Sequence, residues 1–217
     1  MNGESFGTFK TACVCVLGLT WYALAAPLHA DSLGSVTVTA PQDREKLKDD
    51  VDTFVSSTIV RSDGESLLRW DRKMKMCPLV AGLSREAGEF VLTRLSQIAM
   101  SAHAPLGSAT CKPNLFVLVA NESAIVVVDP VQVSKLNIGQ LADYIGLVGL
   151  AEINLDKDLG EAPSILKVFA ASEMAPQPLE MTTWDKALLQ ALYATSQDNR
   201  LQLSKIKRET LELIAAK

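Results

Sequence analysis

From Ser84 onward, apolar residues return at three- and four-residue steps. Ala87, Val91, Leu95, Ile98 and Ala102, with Phe90 and Ala99 beside them, alternate with Glu86, Glu89, Thr93, Ser96, Gln97 and Ser101. That period predicts an amphipathic helix with one buried face and one wet face. Ser84 is placed to cap it, and Glu86 and Glu89 stand where the positive end of the helix dipole favours a carboxylate. Pro105 and Gly107 end it. Asn114 to Ala120 then gives a short apolar run of β-formers, the pattern of a buried strand. A cysteine lies on each side of the helix, Cys77 in the loop before it and Cys111 in the loop after it. The other segments read as packing around this unit.

Taken in order, Ser32 to Pro41 alternates Val36, Val38 and Ala40 with Thr37 and Thr39, which predicts a half-buried edge strand closed by Pro41. Asp43 then caps a helix that shares Leu47, Val51, Phe54 and Val55 on one face. Ser62 to Glu65 is a turn leading to a strand near Leu67 to Trp70. After the central unit come a turn at Asn121 to Ser123 and a β-branched run at Ala124 to Asp129. Asn137 and Gln140 have capping-box spacing and open a helix to about Glu152 that is apolar nearly all round, so it belongs at the centre. Pro163 opens a short helix carrying Ile165, Leu166, Val168 and Phe169. Met174 to Met181 reads as a surface linker. Thr182 with Asp185 is a second capping box, before a helix that places Trp184, Leu188, Ala191 and Leu192 on one side. A last helix, about Asp198 to Ala216, presents Leu203, Ile206, Thr210, Leu213 and Ile214. The expected fold is α+β: a small sheet from the Val36, Leu67, Phe116 and Val126 segments, helices packed on it, and a helical C-terminal part.

Composition narrows the setting. The chain has 217 residues, 48% hydrophobic and 21% charged, enough for one domain with a sizeable core. The formal net charge is −4 and no basic stripe is interleaved with aromatics, which argues against nucleic acid as a partner. The one basic cluster, Arg69, Arg72, Lys73 and Lys75, is broken by Asp71 and reads as a solvated loop. Lys10 precedes an uncharged stretch, Thr11 to Ala26, followed by Pro27 to Ala30. This is the layout of a secretory signal over residues 1–30, with one globular domain over 31–217. The alternative is an uncleaved membrane anchor, the only route by which the chain would meet a membrane. Removing residues 1–30 discards Cys13 and Cys15 and leaves Cys77 and Cys111, an even pair that reads as a disulfide in a periplasmic or secreted chain. Such a bridge closes a loop of about 34 residues and restricts the unfolded chain by about 4 kcal/mol in the chain-entropy account. A metal site or a reactive thiol is the other reading, but there is neither a histidine cluster nor a C-x-x-C pattern.

Several phrases stand together in the mature region: VTVTAP after the signal, CPLVAGL at 77–83, CKPNLFVLVA at 111–120, LADYIGLVGLA at 141–151, PSILKVF at 163–169 and TTWDKALLQALY at 182–193. As a set they resemble a group of uncharacterised exported proteins of proteobacteria. The resemblance implies an envelope location and recruits no known chemistry. A remoter likeness is to exported zinc-peptidase-like domains, in which a helix like Leu141 to Ala151 would carry the metal ligands.

The chemistries fail on their side chains. A zincin site needs two histidines four residues apart with a glutamate between them, and the mature region holds one histidine, His103, at a helix end. A serine or cysteine nucleophile would have to recruit that same imidazole, and no Gly-x-Ser-x-Gly elbow is present. Gly-rich phosphate loops are absent. Asn154, Asp156 and Asp158 have the opening spacing of a calcium loop, but the glycine falls one place late, at Gly160, and Ile165 stands where the last ligand belongs. Glu152, Asp156, Asp158 and Glu161 include the raw material for a glycosidase-like pair, although carboxylates in one polar loop are far more often solvated. Trp70, Trp184, Tyr144 and Tyr193 read as core before they read as a ligand groove. No cofactor and no metal ligand set is expected. The function expected is a non-catalytic binding or envelope-support module with a protein or envelope partner, the alternative being a hydrolase or degenerate peptidase-like protein that uses carboxylates.

Overall fold

The described residues run through a helix, a parallel strand pair with a helix between its strands, and three further helices. A computed structural model describes residues 41–60, 67, 69–119, 136–169, 177–195 and 202–216. The segments expected to be a signal (1–30), a strand (32–41), turns (62–65 and 121–123) and a β-branched run (124–129) lie outside those residues, Pro41 excepted. The elements in chain order are α1 (Pro41–Thr58), β1 (Pro78–Ala81), α2 (Arg85–Ser101), β2 (Leu115–Leu118), α3 (Ile138–Leu150), a 3-10 turn (Ile165–Phe169), α4 (Thr183–Ala194) and α5 (Gln202–Ala215). The fold is α+β, with a two-stranded parallel sheet among the described residues.

The helices form where capping and periodicity agree. Ser84 caps α2, its hydroxyl accepting from the Ala87 N–H, and Val91, Leu95, Ile98 and Ala99 are buried along one face. Asn137/Gln140 and Thr182/Asp185 both close as reciprocal capping boxes at the starts of α3 and α4. Helix α1 begins at Pro41, ahead of the expected cap at Asp43, which lies in the first turn instead. Proline suits that place because the first helical N–H has no intrahelical acceptor to lose.

Helix α2 ends in a Schellman motif. The Ala104 N–H reaches the Ala99 carbonyl at 2.8 Å and the His103 N–H reaches Met100 at 3.1 Å. His103 takes the left-handed position at φ 61°, where glycine is the usual occupant.

The strands correct the sequence expectation in several places. CPLVAGL contains β1, which pairs Leu79 with Phe116 and Ala81 with Leu118. Leu67, Arg69 and Trp70 lie in irregular backbone. The Val36 and Val126 segments lie outside the described residues, so the described sheet is β1 and β2 alone. Parallel neighbours require a crossover, and α2 supplies it. Of the run Asn114–Ala120, expected to be buried, the described residues 114–119 are covered on one side only. Phe90, expected on the inner face of α2, is exposed.

Among the described residues the core has two parts. The larger joins Leu47, Val51 and Phe54 of α1 to Leu147 and Leu150 of α3, Leu188 and Leu192 of α4 and Ile206 of α5. The smaller joins Val91 and Leu95 of α2, Val117 of β2 and Ala142 of α3. Helix α3 contributes to both, as its all-round apolar pattern requires. Its C-terminal carbonyls are taken by side chains: the Trp70 indole donates to Gly149 at 2.6 Å and the Tyr193 hydroxyl to Leu150 at 2.6 Å. Beyond α3, Ile153 forms an antiparallel bridge with Ile59 at the end of α1.

Two substitutions test the backbone reading. His103→Gly relieves a left-handed β-carbon and is expected to raise unfolding stability by about 0.5–1 kcal/mol in a denaturant titration. Gly82→Ala is expected to lower it by at least about 2 kcal/mol, because Gly82 sits at φ 87° and an added β-carbon would lie 1.7 Å from the Val119 carbonyl oxygen.

Candidate functional site

Cys77 and Cys111 form a disulfide with their α-carbons 6.1 Å apart. Around it the backbone is tied on both sides. Asn114 acts as a polar splint: its Oδ1 accepts the Cys77 N–H at 2.7 Å and its Nδ2 donates to the Lys75 carbonyl at 2.9 Å. The Cys77 carbonyl takes the N–H groups of Asn114 and Leu115 at 3.0 and 3.2 Å. On the other edge Met76 donates to Pro105 at 2.9 Å and accepts from Gly107 at 2.8 Å. Gly107 has to lack a side chain, since a β-carbon there would stand 2.6 Å from the Cys111 sulfur. The bridge therefore locks the entry to β1 against the loop that follows α2. Disulfides of this kind belong to chains that mature in an oxidising compartment outside the cytoplasm.

The strand pair has an inner and an outer face. Side chains alternate across a strand, and from Cys111 to Val119 every second residue, Lys112, Asn114, Phe116 and Leu118, is exposed. Pro78, Val80, Leu115 and Val117 point to the side that carries α2 and α3. On the outer face Leu79, Phe116 and Leu118 retain 37%, 59% and 70% of their accessible surface. Leu79 and Phe116 are register partners, so these three side chains form one continuous apolar strip.

The residues singled out as candidate chemistry are dispersed. Glu152, Asp156, Asp158 and Glu161 are all exposed. In that loop Asn154 Oδ1 accepts the Asp156 N–H at 3.0 Å and Asp158 Oδ1 accepts the Gly160 N–H at 2.9 Å. Those two side chains shape turns. His103 is exposed at the end of α2. Among the described residues no group of three or more His, Cys, Asp or Glu side chains is placed to hold a metal ion. Of the basic cluster, Arg72, Lys73 and Lys75 are solvated as expected. Arg69 is not: it is half-buried, donates to the Thr195 carbonyl and lies 5.9 Å from the Tyr193 ring centroid. Burial lowers its pKa, and burial pushes the Tyr193 hydroxyl up to about 12.

Two buried carboxylates escaped the sequence reading as polar hubs. Asp143, on α3, is gripped by Arg94 of α2 through Nε at 2.5 Å and Nη2 at 2.9 Å, and accepts the Met181 N–H at 2.6 Å. The side chain of Asp143 is 1% exposed and that of Arg94 30%. The hydrogen bond to Asp143 raises the guanidinium pKa. The signal was present: an aspartate inside LADYIGLVGLA has nowhere wet to go and needs a cation.

Asp185, read only as a capping residue, collects four hydrogen bonds: Ser164 Oγ at 2.5 Å, the Ile165 and Thr182 N–H groups at 2.9 Å each, and Thr182 Oγ1 at 2.8 Å. No ion pair reaches it among the described residues. Burial raises its pKa, and the hydrogen bonds oppose that shift without cancelling it. The two hubs share no partner, and each is fully engaged in joining chain segments.

Comparison with protein-family models, with curated proteins and with solved structures returns no match to this chain. Among the described residues no helix is long and apolar enough to cross a membrane.

Two measurements follow from the geometry. The double substitution Phe116→Ser, Leu118→Ser should leave the unfolding free energy within about 0.5 kcal/mol of the parent, as for exposed sites; a loss of about 3 kcal/mol or more, the cost of emptying a core site, would show that the strip is covered in the folded chain. Asp185→Asn should cost about 3 kcal/mol near neutral pH by stranding buried donors. A carboxyl with a raised folded pKa contributes stability that is complete below the unfolded pKa and is lost as pH rises through the folded one. The parent's advantage over Asp185→Asn should therefore widen from pH 7.5 to pH 4.5, and narrowing on acidification would contradict the reading.

Proposed function

We propose that this protein is an exported module, periplasmic or secreted, that binds a partner or supports an envelope assembly without catalysing a reaction. The observation that carries this reading is the apolar strip of Leu79, Phe116 and Leu118 on a strand pair that the Cys77–Cys111 bridge holds in place. Parallel strands are ordinarily covered on both faces. Here α2 and α3 take the inner face, and the outer face is left with large apolar side chains in water, as at binding surfaces. The staple supports export, because the bridge persists only where thiols are not kept reduced. The carboxylates give no comparable support to a hydrolase: those of the 152–161 loop face solvent, and Asp143 and Asp185 are occupied in holding segments together.

Fractionation of producing cells, with thiols alkylated before any reduction, tests the compartment. The chain should be recovered outside the cytoplasm, beginning at Asp31, with neither Cys77 nor Cys111 alkylated; cytosolic chain beginning at Met1 with both cysteines alkylated contradicts export. Replacing Phe116 by a photoreactive phenylalanine analogue should give a cross-linked adduct of defined mass in the native compartment. The same group at Arg208, on the exposed side of α5, should give none. Equal yields at the two positions would contradict binding through the strip.

A further inference from the structure

The two halves of the disulfide are held differently. Cys77 is 5% exposed. Its N–H donates to Asn114, its carbonyl takes two N–H groups, and Met76 just before it is tied to Pro105 and Gly107. Cys111 is partly exposed and ends a turn that its own N–H closes on the Ser108 carbonyl at 3.0 Å. Its neighbours Ser108, Ala109, Thr110 and Lys112 are all exposed. One half of the bridge thus belongs to a covered segment pinned by backbone bonds, and the other to a turn in water.

We propose that the bridge is a thiol–disulfide exchange site with a single entry: a protein dithiol of the Cys-x-x-Cys class engages the folded chain at Cys111, and Cys77 is the thiol it releases. The proposal goes beyond the binding-module reading and rests on the bridge rather than on the apolar strip, so the two fail separately. Exchange proceeds by attack of a thiolate on one sulfur of a disulfide, through a mixed disulfide, at a rate that depends on access. In the first step the partner's thiolate bonds to the Cys111 sulfur. The Cys77–Cys111 bond breaks, and its electron pair leaves with the Cys77 sulfur, which takes a proton from water. In the second step the partner's other thiolate attacks its own bonded sulfur and releases Cys111, which is protonated in turn. Two electrons pass: the partner's dithiol becomes a disulfide, and the bridge becomes two thiols. Run backwards, the same path lets a partner disulfide close the bridge through Cys111. Leaving-group quality favours the other sulfur, since burial raises the pKa of a thiol and makes Cys77 the poorer leaving group. Access outweighs it, because a thiolate carried on a protein reaches Cys77 only after the bonds around that residue open, whereas the turn at Cys111 already meets solvent.

The test uses the full oxidised chain and a thioredoxin-fold oxidoreductase in which serine replaces the second cysteine of the Cys-x-x-Cys pair, so that mixed disulfides accumulate. Early acid quenching, alkylation of free thiols and peptide mass spectrometry show which cysteine carries the partner. Adducts on Cys111, with Cys77 alkylated, should form at least about tenfold faster than the reverse. Glutathione attacking the chain in denaturant should choose the two sulfurs almost equally, since the covering of Cys77 belongs to the fold. With the unsubstituted oxidoreductase, reduction of the folded chain should speed up in proportion to the oxidoreductase added. Adducts chiefly on Cys77, equal yields from the folded chain, or a Cys111 preference as strong in denaturant as in the fold overturns the proposal. So does a folded chain that yields no mixed disulfide, or a reduction rate set by unfolding and indifferent to the oxidoreductase concentration.

Discussion

Two parallel strands of four residues each cannot hold themselves together. They have no hairpin to fix their register, and a pair this short has little ladder to offer. In this protein the constraint is supplied covalently: Cys77 at the entry of β1 is bonded to Cys111 in the loop before β2, and Asn114 and Met76 complete the tie with hydrogen bonds on both edges. With the bridge in place the crossover through α2 is closed at its base, the strands align, and the alternation of side chains then decides everything about the two faces. Val80 and Val117 turn in to meet Val91, Leu95 and Ala142. Leu79, Phe116 and Leu118 turn out.

The rest of the fold is organised by α3, which connects the strand unit to the helical core. A helix that is apolar nearly all round and lies between two clusters must have its polar atoms handled individually. The Trp70 indole and the Tyr193 hydroxyl take its last carbonyls, Gln140 donates to the Pro178 carbonyl, and Asp143 is held between Arg94 and the Met181 N–H. The same economy appears one segment later, where Asp185 gathers Ser164, Ile165 and Thr182 and so fixes the 3-10 turn against the start of α4. Buried carboxylates often suggest catalysis. These two have spent their lone pairs on joining segments distant in sequence, and what they give the molecule is a single arrangement of its connections.

Three helices were the most legible because each carries two agreeing signals, a cap and a period, whereas α1 and α5 were marked correctly by their period alone. Ser84, Asn137/Gln140 and Thr182/Asp185 mark three starts correctly, and the buried apolar residues of α1 are those its spacing selects, with Thr58 buried in addition. The strands were less legible. Pro78–Ala81 is too short for alternation to show, it begins with a proline, and its partner lies across a helix, so PLVA passed for a loop. Leu67 to Trp70 has strand-like composition, yet Trp70 is used to cap α3 and Arg69 to reach Thr195, contacts that no local pattern encodes. The strip on β2 was misjudged for a related reason: an unbroken apolar run reads as buried on both sides, and LFVL gives no sign that one of its faces lacks a cover. The pairing of Cys77 with Cys111 was legible because two cysteines remain once the leader expected over residues 1–30 is set aside; that Asn114 would splint them was not.

The account stands or falls on whether the bridge is what holds the strand pair. Amide hydrogen exchange on the oxidised protein and on the reduced, alkylated protein measures this most directly at Met76, Gly107 and Leu115, whose N–H groups make bonds around the staple, and at Val119, whose N–H closes the far end of the strand pair on Ala81. Breaking the bridge should cost these four amides on the order of a thousandfold in protection, in keeping with a staple of about 4 kcal/mol, while amides in the middle of α4 lose clearly less. If the four amides exchange no faster after reduction, or if α4 loses as much as they do, the disulfide is not the constraint on which the strand pair and its outer face depend.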